Sequence, residues 1–383
     1  MTKRQVLFIL PSYNIGGTTV STRNLISVLD PNKYDVKVWA INPNGLLNWM
    51  YDDVPQLKTC FVAQALALDG WRKERNWPRR FAAAVVRFVA NHSTRFRLSL
   101  YRHSIKKCIG IQVFDTIVAC EEGFTTAFVS HISCNNRVAW VRCDYKRYYE
   151  TRHERKELFY EQYNHIVCVA EQTRKNFVEI YPNLIDRTVC IYNPQDSKLI
   201  LSQADIDDHD VRFRKETTVI VSMGRLSKVK RFCEIPSIAR KLVERGVNFV
   251  WYIIGDGEER FAIADAIEQQ AVGNRVIMLG AKSNPHFYIK RADLYVCLSS
   301  SEACPRVINE AKILGTPVIS TDFPTVYEYL EDGLNGRIVS LENMPQAIID
   351  LLTNEKLYLH IKEEIGRFSF DNNSLINQLE KIL

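Results

Sequence analysis

The sequence lacks several features that mark specialised classes of protein. None of its ten cysteines forms a C-x-x-C pair, and none of its eight histidines has the H-x-x-x-H spacing of helical metal ligands. No apolar run approaches the roughly 20 residues that a membrane-spanning helix needs, and internal repeats are missing. These absences argue against a zinc module, a disulfide scaffold and an integral membrane protein. We therefore expect a cytoplasmic protein with reduced cysteines in its core.

The length predicts two domains. The 383 residues exceed what a single hydrophobic core usually supports, and a hydrophobic content of 46% is ample for two cores. Residues 195–215 are polar and charge-rich, which favours a boundary after Asn193-Pro194. We expect an N-terminal domain over residues 1–194 and a C-terminal domain over residues 195–383.

Positive charge is concentrated in the first half of the chain. Residues 1–200 carry a net charge of +10 and the remainder −4. Residues 70–110 contain eleven Lys or Arg and a single acid, Glu74, with Trp and Phe residues between them. This composition is typical of peripheral contact with the anionic inner face of a cell membrane, and equally of a solvated helical insertion. No nucleic-acid-binding signature accompanies it, so we expect no nucleic-acid partner.

Strand-like runs alternate with helix-like stretches along the whole chain, which predicts an α/β fold with two Rossmann-like domains of parallel sheet. Ligands of such sheets bind beyond the carboxyl ends of the strands, so we expect the two domains to face each other across a cleft. The predicted strands are Gln5 to Leu10, Val36 to Ile41, Thr116 to Cys120, Val138 to Val141, His165 to Ala170, Val189 to Tyr192, Thr218 to Met223, Phe249 to Ile254, Val276 to Leu279, Leu294 to Leu298 and Pro317 to Ser320.

Two carboxylates stand eight positions apart at one strand-loop-helix junction. Glu302 lies in the loop after the strand that ends at Leu298, Pro305 is predicted to be the first helical residue, and Glu310 lies in the helix. The free N–H groups and the dipole of a helix N-terminus favour an anion. A sugar nucleotide would fit this site, with its phosphate on the backbone of residues 304–307 and its hydroxyls on the carboxylates.

Other segments also suit a phosphate ligand. Gly16 and Gly17 follow the first strand, where a missing Cβ allows a phosphate to approach the backbone. Arg225 and Lys230 follow the strand that ends at Met223, and two fixed cations can stabilise a departing diphosphate without a metal. Each segment has an ordinary alternative: a tight turn, a solvated basic cluster, or, for the carboxylates, a capping acid and a surface glutamate.

Together, in this order, the segments resemble glycosyltransferase family 4, a large group of retaining enzymes with the GT-B fold. The stretch from Glu302 to Glu310, continuing to Gly315-Thr316-Pro317-Val318, is similar to the E-x7-E motif of that family. Its G-R-L motif and lysine match Gly224-Arg225-Leu226 and Lys230. Two glycine turns also match, Ile254-Gly255-Asp256-Gly257 and Asn14-Ile15-Gly16-Gly17.

The resemblance implies roles for these residues. It implies that Arg225 and Lys230 stabilise the leaving diphosphate, that Glu302 binds the transferred sugar and that Glu310 binds the ribose. It also implies that the last helix, about residues 373–383, crosses back to the N-terminal domain. Further substrate contacts implied in the same way come from Gly16 and Gly17 to the donor diphosphate or the acceptor, from Lys282 to the base, and from Ala303, Cys304, Pro305, Arg306 and Val307 to the sugar and β-phosphate.

The chain departs from the family pattern at two positions. Arg142 stands where the family commonly has a histidine, and an arginine cannot act as a general base because it stays protonated. Arg142 could bind phosphate or an acidic sugar, or could pair with Asp144 or a neighbouring acid. Arg306 replaces a small or apolar residue, which leaves the donor sugar undefined.

The resemblance implies a retaining, metal-independent hexosyltransferase that uses a nucleotide sugar, UDP-linked in our expectation, and needs no cofactor. Its acceptor would be a glycan or a lipid-linked molecule in bacterial surface-polysaccharide synthesis, bound by the N-terminal domain while the C-terminal domain holds the donor. A non-catalytic relative that binds sugar nucleotides and a UDP-sugar epimerase remain as alternatives. Asp205-Ile206-Asp207 and Asp208-His209-Asp210 have the D-x-D spacing that metal-dependent transferases use, but they lie in the polar linker rather than at a strand end, which favours a solvated charge run over a metal site.

Overall fold

The chain forms two compact units. The structure, a computed structural model, describes residues 2–14, 16–67, 76–151, 159–207, 211, 213 and 216–383. The first unit comprises Met1–Pro194 with Asn372–Leu383, and the second comprises Gln195–Asp371. Among the helices of these described ranges, none combines the length and the apolarity required to cross a bilayer.

The first unit is built on a sheet of six parallel strands in the order β2-β1-β3-β4-β5-β6. Its central strands are apolar runs without alternation, as expected for strands with helices on both faces, and residues 6–10 are fully buried. The strands are β1 (Arg4–Ser12), β2 (Tyr34–Asn42), β3 (Thr116–Ala119), β4 (Asn136–Val141), β5 (His165–Cys168) and β6 (Thr188–Cys190).

Helices of the first unit connect and cover these strands. Asn76 and Ser93 accept hydrogen bonds from backbone N–H groups at the starts of the third and fourth helices, which fixes where each begins. The described helices are α1 (Gly17–Ser27), α2 (Phe61–Leu66), α3 (Trp77–His92), α4 (Thr94–Cys108), α5 (Phe124–Val129), α6 (Tyr145–Thr151) and α7 (Glu171–Ile180). Short 3-10 turns lie at Asn48–Tyr51, Tyr160–Gln162 and Pro182–Arg187.

The second unit has its own six-stranded parallel sheet, in the order β12-β11-β10-β7-β8-β9. Its core contains the apolar strand residues together with the inward faces of the surrounding helices. The strands are β7 (Thr218–Met223), β8 (Phe249–Ile254), β9 (Val276–Gly280), β10 (Leu294–Cys297), β11 (Val318–Thr321) and β12 (Arg337–Val339).

The helices of the second unit begin before its first strand. Residues 197–205, expected to be a polar linker, are helical, because Asp196 caps the helix through the N–H of Leu199 at 2.9 Å while Ile200 and Ala204 are buried four positions apart. The described helices are α8 (Ser197–Asp205), α9 (Ile235–Glu244), α10 (Arg260–Gln269), α11 (His286–Lys290), α12 (Arg306–Ile313), α13 (Met344–Thr353) and α14 (Glu355–Gly366), with 3-10 turns at Lys228–Lys230, Phe232–Glu234 and Pro324–Glu328.

The last helix, α15 (Asn372–Ile382), packs on the first unit. Its apolar face is buried at Leu375, Leu379 and Ile382. The end of the chain is held by hydrogen bonds: the Thr116 hydroxyl donates to the carbonyl of Leu383 at 2.7 Å, and the Asn136 amide donates to the carbonyl of Ile382 at 2.7 Å.

The α/β fold class with two Rossmann-like units is confirmed. All eleven predicted strands are present, with ends displaced by at most two residues. The short strand β12 was missed because its three residues are all partly exposed and form no buried apolar run. Pro305 precedes α12 with a ψ of 69°, so the helix begins at Arg306, one residue later than predicted.

Replacing Leu379 should destabilise the first unit, because this fully buried side chain anchors α15. Leu379→Ala is expected to lower the free energy of unfolding by about 2–5 kcal/mol, measured by urea denaturation. The matched control is Leu359→Ala on α14, where the side chain is exposed and little change is expected. Equal stability of the two variants would contradict the anchoring role of α15.

Candidate functional site

The strand order of the second sheet marks a candidate ligand position by topology alone. From β7 the chain proceeds to β8 and β9 on one side, whereas β10, β11 and β12 extend on the other side. Ligands of open parallel sheets bind beyond the carboxyl ends of the strands where the strand order reverses. In this unit that point lies between β7 and β10, so the loops after these two strands are the candidate site.

The loops after β7 and β10 are joined to each other. The N–H of Ser300 donates to the carbonyl of Val229 at 2.8 Å. The Nζ atom of Lys230 makes an ion pair with the Oε1 atom of Glu302, and the Ser299 hydroxyl donates to the same carboxylate oxygen at 2.7 Å. The structure therefore brings together two of the residues that the sequence placed in the site.

Electrostatics hold the Lys230 charge in place. Burial, the largest influence, would by itself lower the pKa of Lys230, but the Glu302 carboxylate and the nearby Cys297 together outweigh burial and raise that pKa. Arg225 is exposed, and it lies near enough to Lys230 for its positive charge to lower the pKa of that lysine. Among the described residues, no carboxylate lies within salt-bridge distance of Arg225. In the loop after β7, Lys230 is thus paired with a carboxylate, whereas Arg225 is exposed.

Glu310, on α12, is buried within a second charged cluster. Its side chain is only 6% exposed, and its Oε1 atom accepts from the Arg306 guanidinium at 2.8 Å. Its Oε2 atom lies 3.6 Å from the Nε2 atom of His286. Burial would raise the pKa of Glu310, but Arg306 and His286 together lower it to about 2. Glu310 is therefore ionised throughout the neutral range.

The partners of Glu310 explain what the sequence missed. His286 begins α11, and its Nδ1 atom lies 2.9 Å from the Oε1 atom of Gln203 on α8. No motif surrounds His286, and Gln203 lies in the segment interpreted as a linker, so only packing brings His286 to Glu310 and Gln203 to His286. A carboxylate offers about four lone-pair positions. Two protein contacts therefore leave acceptor capacity on Glu310.

The two glycine motifs of the second unit shape the loops. A Cβ on Gly255 would lie 1.8 Å from the carbonyl oxygen of Gly224, and one on Gly257 would lie 2.3 Å from that of Leu226. The N–H of Leu226 donates to the carbonyl of Asp256 at 3.0 Å. The loops after β7 and β8 therefore interlock, and the glycines are required for this close backbone approach.

The segment between the two carboxylates is partly buried. Ala303 and Pro305 are buried, and Cys304, Arg306 and Val307 are partly exposed. The N–H of Arg306 donates to the carbonyl of Cys304 at 2.8 Å, so this amide of the expected phosphate-binding stretch is engaged within the protein.

Lys282 follows β9, the edge strand of the sheet, whose last residue, Gly280, accepts a hydrogen bond from the N–H of Gly255 in the loop after β8 at 2.8 Å. Its Nζ atom is 5.6 Å from the centre of the Tyr288 ring, within the range of a cation–π contact.

Gly16 and Gly17 form the start of α1 in the first unit, while Ile15 lies outside the described residues. A Cβ on either glycine would meet no atom within 4 Å, and Gly16 is extended with a φ of 174°. Neither packing nor backbone conformation therefore requires glycine at these positions.

Arg142, directly after β4, ties together the carboxyl edge of the first sheet. Its guanidinium donates to the carbonyl of Cys120 at 2.7 Å, to the hydroxyl of Ser21 at 2.7 Å and to the amide oxygen of Asn193 at 2.5 Å. The group also lies over the Trp140 ring, 4.6 Å from its centre. These contacts join α1 to the loops after β3 and β6.

The D-x-D segments form no metal cluster in the described part of the chain. Asp205 pairs with Lys290 at 2.5 Å, and Asp207 is exposed. Asp208, His209 and Asp210 lie outside the described residues. Within the ranges that the structure covers, no three His, Cys, Asp or Glu side chains are grouped as metal ligands would be.

Comparison with known families supports a glycosyltransferase relationship for the second unit. Residues 204–367 match the family model described as glycosyl transferases group 1. Among curated proteins, the chain is 30% identical over 162 residues to the lipopolysaccharide core biosynthesis glycosyltransferase LpsE of Rhizobium meliloti, covering 40% of this chain and 46% of LpsE. It is 27% identical over 170 residues to an uncharacterised glycosyltransferase of Methanocaldococcus jannaschii, covering 44% and 42% of the two chains. The chain thus spans less than half the length of the curated relatives that it matches.

Solved structures share the fold over nearly the whole chain. The structure of HepE from Anabaena in complex with UDP and glucose has a TM-score of 0.74 at 16% identity, covering 98% of both chains. WaaG, a glycosyltransferase involved in lipopolysaccharide biosynthesis, has a TM-score of 0.65 at 15% identity, covering 98% of this chain and 99% of WaaG. At these identities the likeness shows the fold, which is of the GT-B type.

Replacing Gly255 should destabilise the second unit, because its Cβ would collide with the backbone of Gly224. Gly255→Ala is expected to cost at least about 2 kcal/mol of unfolding free energy. The control is Gly273→Ala, where the nearest atom to a new Cβ lies at 3.7 Å. Similar melting temperatures for both variants would contradict the interlocking of the two loops.

Acid should remove the stability that Glu310 contributes. The pKa of Glu310 is lowered from 4.5 to about 2, so its contribution is fully present above pH 4.5 and is lost as pH falls from 4.5 towards 2. Glu310→Gln should lower stability at neutral pH and flatten the fall of unfolding free energy across this window, measured by urea denaturation at successive pH values. A variant with the wild-type pH slope would contradict the pairing with Arg306.

Proposed function

We propose that the chain is a retaining, metal-independent glycosyltransferase of family 4. It moves a sugar from a nucleotide diphosphate sugar, UDP-linked, to a glycan or lipid-linked acceptor in the synthesis of a bacterial cell-surface polysaccharide. The observation that carries the proposal is the pair of cations, Lys230 and Arg225, beside the Glu302 carboxylate at the switch point of the second sheet.

The comparisons support the reaction class and the setting. The family match covers the unit that contains Arg225, Lys230, Glu302 and Glu310. HepE, whose fold is shared, has been solved with UDP, with UDP-glucose, and with UDP and glucose. LpsE acts in lipopolysaccharide core biosynthesis, and a further relative is the putative glycosyltransferase EpsF of Bacillus subtilis. These properties belong to the similar proteins, and our proposal assigns a UDP-sugar donor and a role in surface-polysaccharide synthesis to this chain by analogy.

The proposed reaction needs positive charge at the leaving group. The bond between the anomeric carbon and the β-phosphate oxygen breaks, and a bond from the acceptor hydroxyl oxygen to that carbon forms on the same face. Negative charge grows on the departing diphosphate, and cations already in position stabilise it without reorganisation. The proton of the acceptor hydroxyl passes to a diphosphate oxygen, so the step requires no protein base.

The Lys230–Glu302 contact is compatible with this role. An ammonium group has three N–H donors and no acceptor. Lys230 can therefore keep its contact with Glu302 while its other N–H groups bind diphosphate oxygens. Glu302 in turn has acceptor capacity for sugar hydroxyls beyond its bonds to Lys230 and Ser299. Arg225, exposed beside the pair, supplies a planar donor group for a second phosphate oxygen.

The remaining donor contacts follow the resemblance. Glu310 would accept ribose hydroxyls with the lone pairs that Arg306 and His286 leave, and Lys282 would contact the base. The stretch from Ala303 to Val307 would contact the sugar and the β-phosphate. Arg306 contributes mainly by orienting Glu310, since its guanidinium is bonded to that carboxylate.

The first unit would hold the acceptor. Gly16 and Gly17 face space that a Cβ could occupy without collision, so their lack of side chains is better explained by close approach of a substrate than by packing. Arg142 would fix the loops around that space through its bonds to Ser21, Cys120 and Asn193. We place the enzyme in the cytoplasm, where nucleotide sugars are made.

An epimerase would use His286 and Glu310 differently, as a proton-transfer pair. Glu310 argues against this use, because a buried carboxylate with a pKa of about 2 is a poor proton donor or acceptor near neutral pH. Transfer is therefore the better-supported reaction. A non-catalytic relative would bind the nucleotide sugar and show no turnover.

Lys230→Ala should lower the rate of sugar transfer by about 10²–10³-fold, since it removes one of the groups that stabilise the leaving diphosphate. The matched control is Lys228→Ala, an exposed lysine in the same 3-10 turn, which should retain activity. The assay supplies UDP-, GDP- and ADP-sugars with a membrane-lipid and glycan acceptor pool, with and without EDTA, and resolves the anomeric configuration of the product.

Several outcomes of this assay, and of a thermal-shift screen with the same nucleotide sugars, would contradict the proposal. Equal rates for the two lysine variants would remove the role of Lys230. Stabilisation by GDP-sugars alone in a thermal-shift screen would overturn the UDP assignment, and loss of activity in EDTA would overturn metal independence. Interconversion of donor sugars without acceptor would favour the epimerase.

A further inference from the structure

Helix α3 of the first unit presents an exposed apolar face. Trp77, Phe81, Val85 and Phe88 recur at intervals of three or four residues and therefore share one side of the helix. Their exposed fractions are 75%, 64%, 47% and 64%. Soluble proteins rarely leave large aromatic side chains clustered in water, so such a face indicates an interaction surface.

The opposite face of α3 fixes its orientation. Ala83 and Ala90 are buried, and the Arg87 guanidinium donates to the carbonyl of Ala67 at 3.0 Å. At the start of the helix, Arg79 donates to the Gln64 side chain at 2.9 Å. These contacts attach the helix to the unit by the face that carries Ala83 and Ala90. The aromatic face therefore points away from the core.

The surrounding charge is of one sign. Residues 76–114 contain eight Lys or Arg and no Asp or Glu. On α4, which packs against α3, Arg95, Arg102 and Lys106 are exposed at spacings that place them on one side of the helix. A protein partner would have to match these cations with acids at defined positions, whereas anionic lipid headgroups match them at any position.

We propose that the exposed face of α3, with the basic residues of α4, is a docking surface for an anionic bilayer. Phe81 and Phe88 enter the boundary between headgroups and acyl chains, Trp77 lies at headgroup level, and Arg95, Arg102 and Lys106 bind the anionic headgroups. The chain lies on the bilayer through this surface. The inference is independent of the transfer reaction, because it concerns a surface of the first unit and requires no donor.

Sedimentation with lipid vesicles tests the surface on the full chain, without donor or acceptor. The wild type should bind vesicles of phosphatidylcholine and phosphatidylglycerol more tightly than vesicles of phosphatidylcholine alone, and added salt should weaken this binding. Phe81→Ser with Phe88→Ser should reduce the partition coefficient about tenfold or more. The matched control, Phe261→Ser, removes a phenylalanine that is 80% exposed on α10 of the second unit and should bind as the wild type does.

The charge contribution is separated by Arg95→Gln with Arg102→Gln and Lys106→Gln. This variant should lose binding to the vesicles that contain phosphatidylglycerol while its weak binding to neutral vesicles stays the same. Circular dichroism and thermal melting should be unchanged in all variants, because every substituted side chain is exposed.

Two results would overturn the inference. One is failure of the wild type to bind phosphatidylglycerol vesicles, or equal binding by the wild type and the double phenylalanine variant. The other is a wild type that does not bind vesicles and sediments as a dimer in analytical ultracentrifugation, while the double phenylalanine variant sediments as a monomer. This second result would identify the face as a contact between copies of the chain.

Discussion

The ion pair between Lys230 and Glu302 is the interaction on which the candidate site depends. Removing a lysine from water is unfavourable unless a partner compensates the charge, and here the Glu302 carboxylate, with a smaller effect of Cys297, more than offsets burial. The pair joins the loop after β7 to the loop after β10, and Ser299 holds the same carboxylate oxygen. Because α12 begins directly after this loop, the pair also fixes where Glu310 lies relative to the switch point.

Both units use a cation at the carboxyl edge of a parallel sheet to hold loops together. In the second unit Lys230 bonds to a carboxylate, so charge is balanced locally. In the first unit Arg142 bonds to the neutral oxygens of Cys120, Ser21 and Asn193. An arginine suits this task because its planar group offers five donors in a fixed arrangement. Arg142, which departs from the pattern of the family that the sequence resembles, thus has a structural function that a histidine, with two ring nitrogens, could not reproduce in full.

The sheets could be predicted closely because buried parallel strands are continuous apolar runs bounded by glycine and polar residues. Predictions failed where that signal was weak. Strand β12 is short and partly exposed, and α8 was hidden because only Ile200 and Ala204 mark its buried side. In the site, the motifs singled out Lys230, Glu302 and Glu310, but not the contact of Lys230 with Glu302, of His286 with Glu310, or of Gln203 with His286. These contacts join residues 72, 24 and 83 positions apart, and the spacing of such residues in the sequence does not determine their distance in the fold.

The sequence by itself determined the fold class, every described strand except β12 and the loops that carry the charged residues of the candidate site, because each depends on local composition and on the periodicity of apolar residues. Tertiary structure alone decided which charges meet, which glycines are needed for packing, and which face of α3 is left exposed. Gly255 and Gly16 illustrate the difference. Both stand in glycine motifs, yet a Cβ would collide with backbone at Gly255 and meet open space at Gly16, because neighbouring loops approach one of them and not the other.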